Sequence, residues 1–326
     1  MEADVKPSHL YMADIGYFAP VMFDMTNHLD ISGVVSGVVS DFKSEQFSFN
    51  YGKQTYYLGN FSVKGLPDFY TSDMVFQISK LQASAGDLRQ FQLPGKIAIE
   101  LPEELNAAGL VRVKGRFTGR YNEFLAVADV NTDAGFIKTD LKVKTDPRTE
   151  VVSYSGHLIT KKLQLGKLLQ QEETFGHLSL NASLKGSGIN LETADLSIDG
   201  KIHEIDLLGI NYKDIDLKGE LSEKRFSGWI DIEDEKLDLD FNGEIDMNAK
   251  VPVFNFESEI KHADLAAMNL LDQDSVMLIK SKISANLSGI TLDEVQGSLR
   301  IRNTAYSDSR GTYLMDSLVL KVDSDA

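Results

Sequence analysis

Hydrophobic and polar residues alternate strictly along residues 189–245, in the second half of the chain. Leu196, Ile198 and Ile202 are each followed by a polar residue, and the same period of two returns after a short turn, from Ile215 onward. A period of two indicates a strand with one apolar and one solvated face. Several such strands in a row, joined by short polar turns, predict an antiparallel meander. No nearby segment predicts a helix long enough to cover the apolar face.

The same alternation recurs along most of the chain and predicts about eighteen strands, many more than in an ordinary globular protein. In the first half the predicted strands are 29–42, 46–51, 55–64, 72–82, 96–101 and four between 110 and 160. In the second half they are 176–185, those of the central stretch, 252–261, 278–287, 295–301 and 313–322. The predicted class is therefore all-β with a few short helices.

Short helices interrupt the strands at intervals. They are predicted at Leu10–Val21, Ser84–Pro94, Pro102–Gly109, Lys162–Gln171 and Ala263–Leu271. Asp14 is the predicted N-cap of the first helix, and Ala-Asp-Ile at Ala13 resembles Gly-Asp-Leu at Gly86 and Ala-Asp-Leu at Ala263. A helix followed by several strands is a loose repeat, with units that start near residues 10, 84, 162 and 263. No linker separates them, so residues 1–326 are predicted to form one elongated, repetitive body.

Three architectures bury a one-sided sheet of this size: a sandwich, a closed barrel, or a long sheet curled into a groove. Repeats without linkers favour the groove, because a groove grows by adding units. Eighteen strands would span roughly 85 Å at the usual strand spacing. Glycines within the apolar faces, such as Gly219 and Gly243, fit bends of a curled sheet, although strand ends beside turns explain them equally well.

An apolar groove of that length predicts a ligand, because large exposed apolar patches mark binding sites. A row of lipid acyl chains, with the head groups at the rim, has the required chemistry. The residues predicted to line the groove are Leu196, Ile198, Ile202, Ile215, Leu217, Phe226, Ile230, Leu237, Leu239, Phe241, Ile283, Leu287 and Leu299.

Composition narrows the function further. The chain has 326 residues, 42% of them hydrophobic, and a net charge of −16, which disfavours binding to nucleic acid or to anionic membranes. It has no cysteine, so thiol catalysis and disulfides are excluded. No apolar run approaches the length of a transmembrane helix, and the first residues lack a signal pattern. We expect the sequence to be an internal piece of a longer protein.

No motif for catalysis or for a cofactor is present. Phosphate-binding loops, a nucleophile elbow and the zinc-protease motif are all missing. The six histidines are scattered, and the acidic run near Glu235 alternates with leucines, which is typical of a solvated strand face. Trp229 and the phenylalanines lie on predicted strand faces, so we predict that they pack in the core and do not stack on bases. We therefore predict a protein that is not an enzyme, with no cofactor and no metal site.

The short strands that end in glycine, ISGVVSGVVSDF, LDLDFNGEI, KISANLSG and EVQGSLRI, together with the sparse Ala-Asp-Leu helix starts, resemble the AsmA-like superfamily. Within it they are most similar to TamB-like envelope proteins of Bacteroidetes-type bacteria. This resemblance implies an elongated β-groove in the periplasm, anchored in the inner membrane through a segment outside this chain. It also implies phospholipid transport to the outer membrane, or assembly of outer-membrane proteins with a barrel partner.

Two other functions fit the pattern. A β-sandwich or β-solenoid protein with a structural or adhesive role would use the same apolar face as an ordinary dry core. A carbohydrate-active protein would need exposed aromatic platforms, and the chain has one tryptophan. Compactness separates the groove from the dry core, because a globular chain of this length has a radius of gyration of about 20 Å and a long groove has a clearly larger one.

Overall fold

The computed structural model describes residues 2–17, 22–93, 97–98, 101, 103–188, 195–270, 277–290 and 295–322. It is 71% strand and 7% helix, so the predicted all-β class with a few short helices is confirmed. The chain divides into two compact units, unit 1 with residues 1–172 and unit 2 with residues 173–326. The prediction of a single repetitive body over residues 1–326 stays a prediction.

Unit 1 is built from long antiparallel strands with short helical insertions. Its strands are β1 (Glu2–Tyr11), β2 (His28–Val38), β3 (Asp41–Tyr51), β4 (Thr55–Lys64), β5 (Asp73–Ser84), β6 (Gln92–Leu93), β7 (Ile97–Ala98), β8 (Leu110–Arg120), β9 (Glu123–Thr132), β10 (Gly135–Thr145), β11 (Val152–Lys161) and β12 (Leu163–Gln164). Its helices are α1 (Met12–Ile15), α2 (Ala85–Gln90), α3 (Glu103–Ala108) and α4 (Leu165–Leu169).

The long strands of unit 1 pair in sequence order from β1 to β11, with β8 following β5. All four helices lie at one end of these strands, which we call the helix end. The connections 39–40, 65–72, 121–122 and 146–151 lie at the opposite end, which we call the loop end.

Unit 2 is a simpler meander. Its strands are β13 (Phe175–Ser187), β14 (Asp195–Leu207), β15 (Ile210–Ser222), β16 (Arg225–Glu233), β17 (Leu237–Asp246), β18 (Val253–Asp264), β19 (Leu278–Ser288), β20 (Gln296–Asp308) and β21 (Gly311–Val322). Each pairs antiparallel with the next. The strands predicted for residues 195–245 are confirmed, and residues 189–194 of that stretch lie outside the described residues.

The sheet of unit 2 curls where glycines bring strands close together. Gly219, Gly228 and Gly243 are directly opposite one another on β15, β16 and β17. A Cβ atom added to Gly228 would lie 2.2 Å from the carbonyl oxygen of Lys218, and one added to Gly243 would lie 2.4 Å from that of Asn255. Backbone this close tolerates only glycine. These glycines therefore lie within strands where the backbones approach closely, which is consistent with bends of a curled sheet.

Two predictions at the start of the chain are corrected. Glu2–Tyr11 forms strand β1, which its irregular pattern did not indicate, because Lys6 and Pro7 break the alternation. The helix predicted from residue 10 is reduced to Met12–Ile15, with Tyr11 as N-cap, so Asp14 lies in the first turn instead of capping it. Residues 18–21 of that predicted helix lie outside the described residues.

The remaining helix predictions have mixed outcomes. Helices α2, α3 and α4 are confirmed with shorter bounds, and the Ser84 side chain caps α2 by accepting a hydrogen bond from the Asp87 N–H. The helix predicted at Ala263–Leu271 is wrong. β18 runs to Asp264, whose side chain accepts hydrogen bonds from two successive backbone N–H groups in a turn. Residues 265–269 form a turn and not a helix, and Leu271 lies outside the described residues. Of the predicted strand 96–101, Ile97 and Ala98 are described as strand.

Candidate functional site

The residues predicted to line a groove share one face of the sheet in unit 2. Directly opposite residues of neighbouring antiparallel strands project to the same face, so the strand registers trace rows across the sheet. One row reads Ile202, Ile215, Ile232, Leu239, Ile260. A second reads Leu217, Ile230, Phe241, Ser258, Ile283. A third reads Leu196, Leu221, Phe226, Ile245, Phe254, Leu287. We call this surface the apolar face of unit 2.

All thirteen predicted lining residues belong to this face. Leu237 lies two residues from Leu239, and Ile198 and Leu299 belong to a fourth row that contains the glycines of the bend. Of the thirteen, Ile215 is buried and the other twelve are half-buried. A sheet face inside a dry core would instead be fully buried.

Few hydrophobic side chains of unit 2 are buried, and among its described residues they are Leu180, Ala182, Ile210, Ile215, Ala263, Met277 and Ala285. Each strand of unit 2 has its substantial contacts with its neighbours in the meander. Among the described residues of the whole chain, the largest side chains that are almost completely buried are Thr160 and Ser72. The hydrophobic residues of unit 2 therefore stabilise the sheet by packing beside one another within rows.

Three phenylalanines make the centre of the apolar face continuous. The ring centroids of Phe226 and Phe241 are 6.1 Å apart, and those of Phe241 and Phe256 are 5.3 Å apart. A Cβ atom on Gly219 would meet the Phe226 ring, so this ring covers the bare backbone of the bend. The result is an unbroken hydrocarbon surface that crosses at least four strands.

The opposite face of unit 2 is polar and held by cross-strand ion pairs. Lys218 contacts Asp199 at 2.8 Å, and Lys261 contacts Asp240 at 2.8 Å. The hydrogen bond to Asp240 raises the pKa of Lys261, so the ammonium is charged at neutral pH. Exposed pairs of this kind contribute little to stability. They keep this face hydrated, so it is a poor surface for lipid tails.

Trp229 lies on the polar face of the sheet. This corrects the prediction that it packs in the core. It is directly opposite Lys218 and Asn242, and 41% of it is exposed. Its neighbour in sequence, Ile230, lies on the apolar face. Trp229 and Ile230 are therefore adjacent in sequence but lie on opposite faces of the sheet.

Unit 1 carries an aromatic counterpart that sequence reasoning did not select. Phe61, Phe76 and Phe117 follow one another on β4, β5 and β8, with ring centroids 5.8 and 6.0 Å apart. Phe47 extends this run on β3, at 5.0 Å from Phe61, and Phe124 extends it on β9, at 4.7 Å from Phe117. The alternation of aromatic residues in β3 is the signal that could have identified this run.

Tyr57 closes one side of this aromatic run. It is buried, stacks on Phe49 at 5.5 Å, and donates a hydrogen bond to the backbone oxygen of Asn60 at 3.0 Å. Burial raises the pKa of Tyr57 to about 12, so the phenol stays neutral. The neutral hydroxyl keeps the apolar character of the surface around it.

The described residues lack the features of two other classes of site. No three His, Cys, Asp or Glu side chains there are grouped so as to hold a metal ion. None of the described helices is long and apolar enough to cross a membrane.

These features define a class of protein: an antiparallel, curled sheet whose hydrophobic face is only partly removed from solvent. No protein-family model, curated protein or solved structure matches this chain. The proposal for its function therefore rests on the sheet and its registers, with the resemblance noted from the sequence as an expectation.

Proposed function

We propose that the chain is a non-enzymatic module that binds phospholipid acyl chains on the apolar face and carries them between the inner and the outer membrane. The observation that supports this most is that twelve of the thirteen lining residues are only partly buried in an ordered sheet. Continuous exposed apolar surface marks binding sites in soluble proteins. A sandwich or solenoid with a dry core is disfavoured by the same exposure.

The energetics suit a carrier. A sixteen-carbon chain that loses half its contact with water gains roughly 6 kcal/mol, at about 0.8 kcal/mol for each buried CH₂. This is enough to hold a tail and weak enough to let it move. Adjacent rows offer nearly equivalent aliphatic contacts, so a tail moves along the face without a covalent step.

Assembly of outer-membrane proteins is a second candidate, and strand β21 favours it. Among the described residues, β21 pairs with β20 alone, and seven of its apolar side chains are exposed. A free strand edge accepts an added strand. The periplasm and an outer-membrane barrel partner are proposed with either function, on the resemblance of the glycine-ended strands to the AsmA-like superfamily.

The single tryptophan gives a direct test of where acyl chains bind. Bromine on a fatty acid quenches indole fluorescence only at close range. In the wild-type chain the indole of Trp229 is on the polar face, and we expect almost no quenching. In the double variant Trp229→Phe with Ile230→Trp, the indole moves to the apolar face and should lose most of its fluorescence. Equal quenching of the two proteins, or none in either, contradicts the proposal.

A matched pair of charge substitutions on β17 tests the same face. Leu239→Asp adds a carboxylate to the apolar face, and we expect fatty-acid affinity to fall about 10-fold or more because the charge must be desolvated. Asn242→Asp adds a carboxylate to the polar face of the same strand and should leave affinity unchanged. Full complementation of a deletion strain by the Leu239→Asp variant would rule out transport along this face.

A further inference from the structure

The loop end of unit 1 presents hydrophobic side chains to solvent at each of its four connections. At the first connection, Val38 ends β2 and Val39 lies in the turn. Phe69 and Tyr70 lie in the second connection, and Tyr121 lies in the third. The fourth connection presents Val151. The short turn at residues 52–54 joins β3 to β4 at the helix end, and it carries Gly, Lys and Gln instead. The helix end also exposes aromatic residues, since Tyr11, Tyr17 and Phe23 are 57%, 79% and 53% exposed, but the loop end differs in exposing hydrophobic side chains at each of its connections.

Three of these side chains form a compact aromatic cluster. Phe69, Tyr70 and Tyr121 are 48%, 68% and 58% exposed. Their ring centroids lie 5.4 to 5.9 Å apart in pairs. Aromatic rings in mutual contact usually belong to a buried core, and here they are displayed at the tips of two neighbouring connections. We call Phe69, Tyr70 and Tyr121 the tip cluster.

The connections that display the tip cluster are tightly built. Ser72 is fully buried and its hydroxyl donates to the Asp68 backbone oxygen at 2.5 Å. The Asp68 carboxylate accepts from the Tyr70 N–H at 3.2 Å, and the Gly65 N–H donates to the Ser40 oxygen of the neighbouring turn at 2.9 Å. The aromatic side chains are therefore held outward by ordered backbone, and little entropy is lost when they bind.

Charges next to the tip cluster are paired across strands. Arg120 contacts Asp73 at 2.8 Å, and Glu123 contacts Lys142 at 2.9 Å. Hydrogen bonding to Lys142 lowers the pKa of Glu123, and that to Arg120 lowers the pKa of Asp73, so both pairs are ionised at neutral pH. The chain as a whole carries −16, and beside these two neutral pairs the loop end carries the acids Asp41, Asp68, Asp146 and Glu150 and the bases Lys64 and Arg148, so it has no excess of positive charge that would attract an anionic partner. An uncharged surface suits such an end better than a strongly charged partner.

The shape of the array points to a lipid surface. Successive connections are two strands apart, so the four tips form a line of roughly 30 Å, one strand layer deep. A line of that size covers roughly 300 Å², well below the ~800 Å² that each partner buries in a stable protein complex. Convex aromatic tips, with tyrosine hydroxyls beside apolar rings, match the membrane–water interface.

We propose that the loop end of unit 1 docks on the interface of a zwitterionic lipid bilayer, with Phe69, Tyr70 and Tyr121 inserted among the head groups. This contact is separate from acyl-chain binding by unit 2. The two activities together would let a carrier meet the membrane whose lipids it takes.

Flotation of the full chain with phosphatidylcholine vesicles tests the proposal. We expect the wild-type chain to float with vesicles. The partition coefficient of the triple variant Phe69→Ser, Tyr70→Ser, Tyr121→Ser should be lower by about 10-fold or more. Added salt should change partition little, because the contact is apolar. Tyr313→Ser with Leu314→Ser removes equally exposed apolar side chains from β21 and is the matched control. It should float like the wild type.

Two further measurements keep the test independent of folding and of the proposed function. Tyr70→Trp should strengthen flotation, because tryptophan is favoured at membrane interfaces. Quenching of the indole moved to position 230 by brominated fatty acid should be the same with and without the tip cluster. Retained quenching together with lost flotation supports the proposal.

Three results would overturn it. One is a wild-type chain that does not float with phosphatidylcholine vesicles, whatever its fatty-acid binding. Another is an equal loss of flotation in the triple variant and in the β21 control, which would indicate unspecific adhesion. The third is self-association of the wild-type chain that the triple variant abolishes, without flotation, which would assign the tip cluster to a protein contact.

Discussion

One aspartate of the repeated Ala-Asp-Leu pattern has a clear structural role, and the others have different ones. Asp87 is buried at the start of α2, where its carboxylate accepts hydrogen bonds from the Lys53 and Gln54 N–H groups at 3.1 and 2.7 Å. It thereby ties α2 to the turn between β3 and β4. Asp264 bonds the backbone of its own turn, and Asp14 is exposed in α1. A shared triplet therefore does not imply a shared function.

Replacing Asp87 tests this role. Burial raises the pKa of Asp87, but hydrogen bonds from Lys53, Gln54 and Thr55 outweigh it, and the net pKa lies below the usual value. We expect Asp87→Ala to lower the free energy of unfolding by about 2 kcal/mol at pH 7, measured by denaturant titration. Asp14→Ala, in the same sequence context, should change it by less than about 0.5 kcal/mol.

The pH dependence of the Asp87→Ala effect follows from the direction of the shift. Because the folded-state pKa is lowered, the stability that Asp87 provides is fully present above its unfolded pKa of about 3.9. It is lost as pH falls through the folded-state pKa. The unfolding curves of the variant and of the wild type should therefore converge in acid. A difference that grows as pH falls would contradict the assigned role.

At the scale of elements, the two terminal strands differ in how their outer edges are protected. β1 contains Lys6 and Pro7, and its register with β2 shifts between Val5 and Ser8. A charge, a proline and an irregular register all discourage pairing with another strand. β21 has no proline and no register shift, and its charged residues are Asp316 and Lys321. All twelve of its residues are exposed, and Leu314 is 79% exposed.

We expect β21 to be the main site of self-association. Val319→Glu places a carboxylate on β21 directly opposite Arg300 of β20. It should slow concentration-dependent aggregation several-fold, measured by light scattering, without loss of stability, because the new cross-strand pair is favourable. The same change at the edge of β1, Ser8→Glu, should have little effect. Equal protection by both variants would show that net charge, not the edge of β21, controls aggregation.

At the scale of the whole molecule, the chain exposes more surface than compact folding requires. Its accessible area is 20069 Å². Two separate compact proteins, each of half this mass, would together expose about 16,000 Å². Strands that pack mainly against their sequence neighbours explain the excess. Stability then comes from hydrogen-bonded ladders and from packing between adjacent rows.

This organisation predicts that the native protein binds an environment-sensitive hydrophobic dye such as ANS without unfolding. Fluorescence should be high at neutral pH, while near-UV circular dichroism and a cooperative thermal transition confirm the native state. A long-chain fatty acid should displace the dye and raise the midpoint of thermal unfolding, because a ligand of the native state stabilises it. Absence of dye binding to the native protein would indicate a dry core.

The sequence by itself determined the class of fold and the facing of most strands. The period of two placed thirteen residues on one face, ten of them between Leu196 and Phe241, and the registers put all of them there, because alternation is a local consequence of strand geometry. Local signals also located α2, α3 and α4. They failed at Ala263–Leu271, where β18 runs on to Asp264 and residues 265–269 form a turn, and at β1, whose pairing with β2 no local pattern indicates.

Only the tertiary structure decided which strand ends and which side chains share a surface. Phe69 and Tyr121 are 52 residues apart in sequence, and strand pairing between β5 and β8 brings their connections together. Trp229 could be placed on the polar face only from its register opposite Lys218. The degree to which the apolar face is exposed also depends on which segments pack over it. Alternation shows that a face is apolar, but burial depends on contacts between segments distant in sequence, and local patterns carry no record of these.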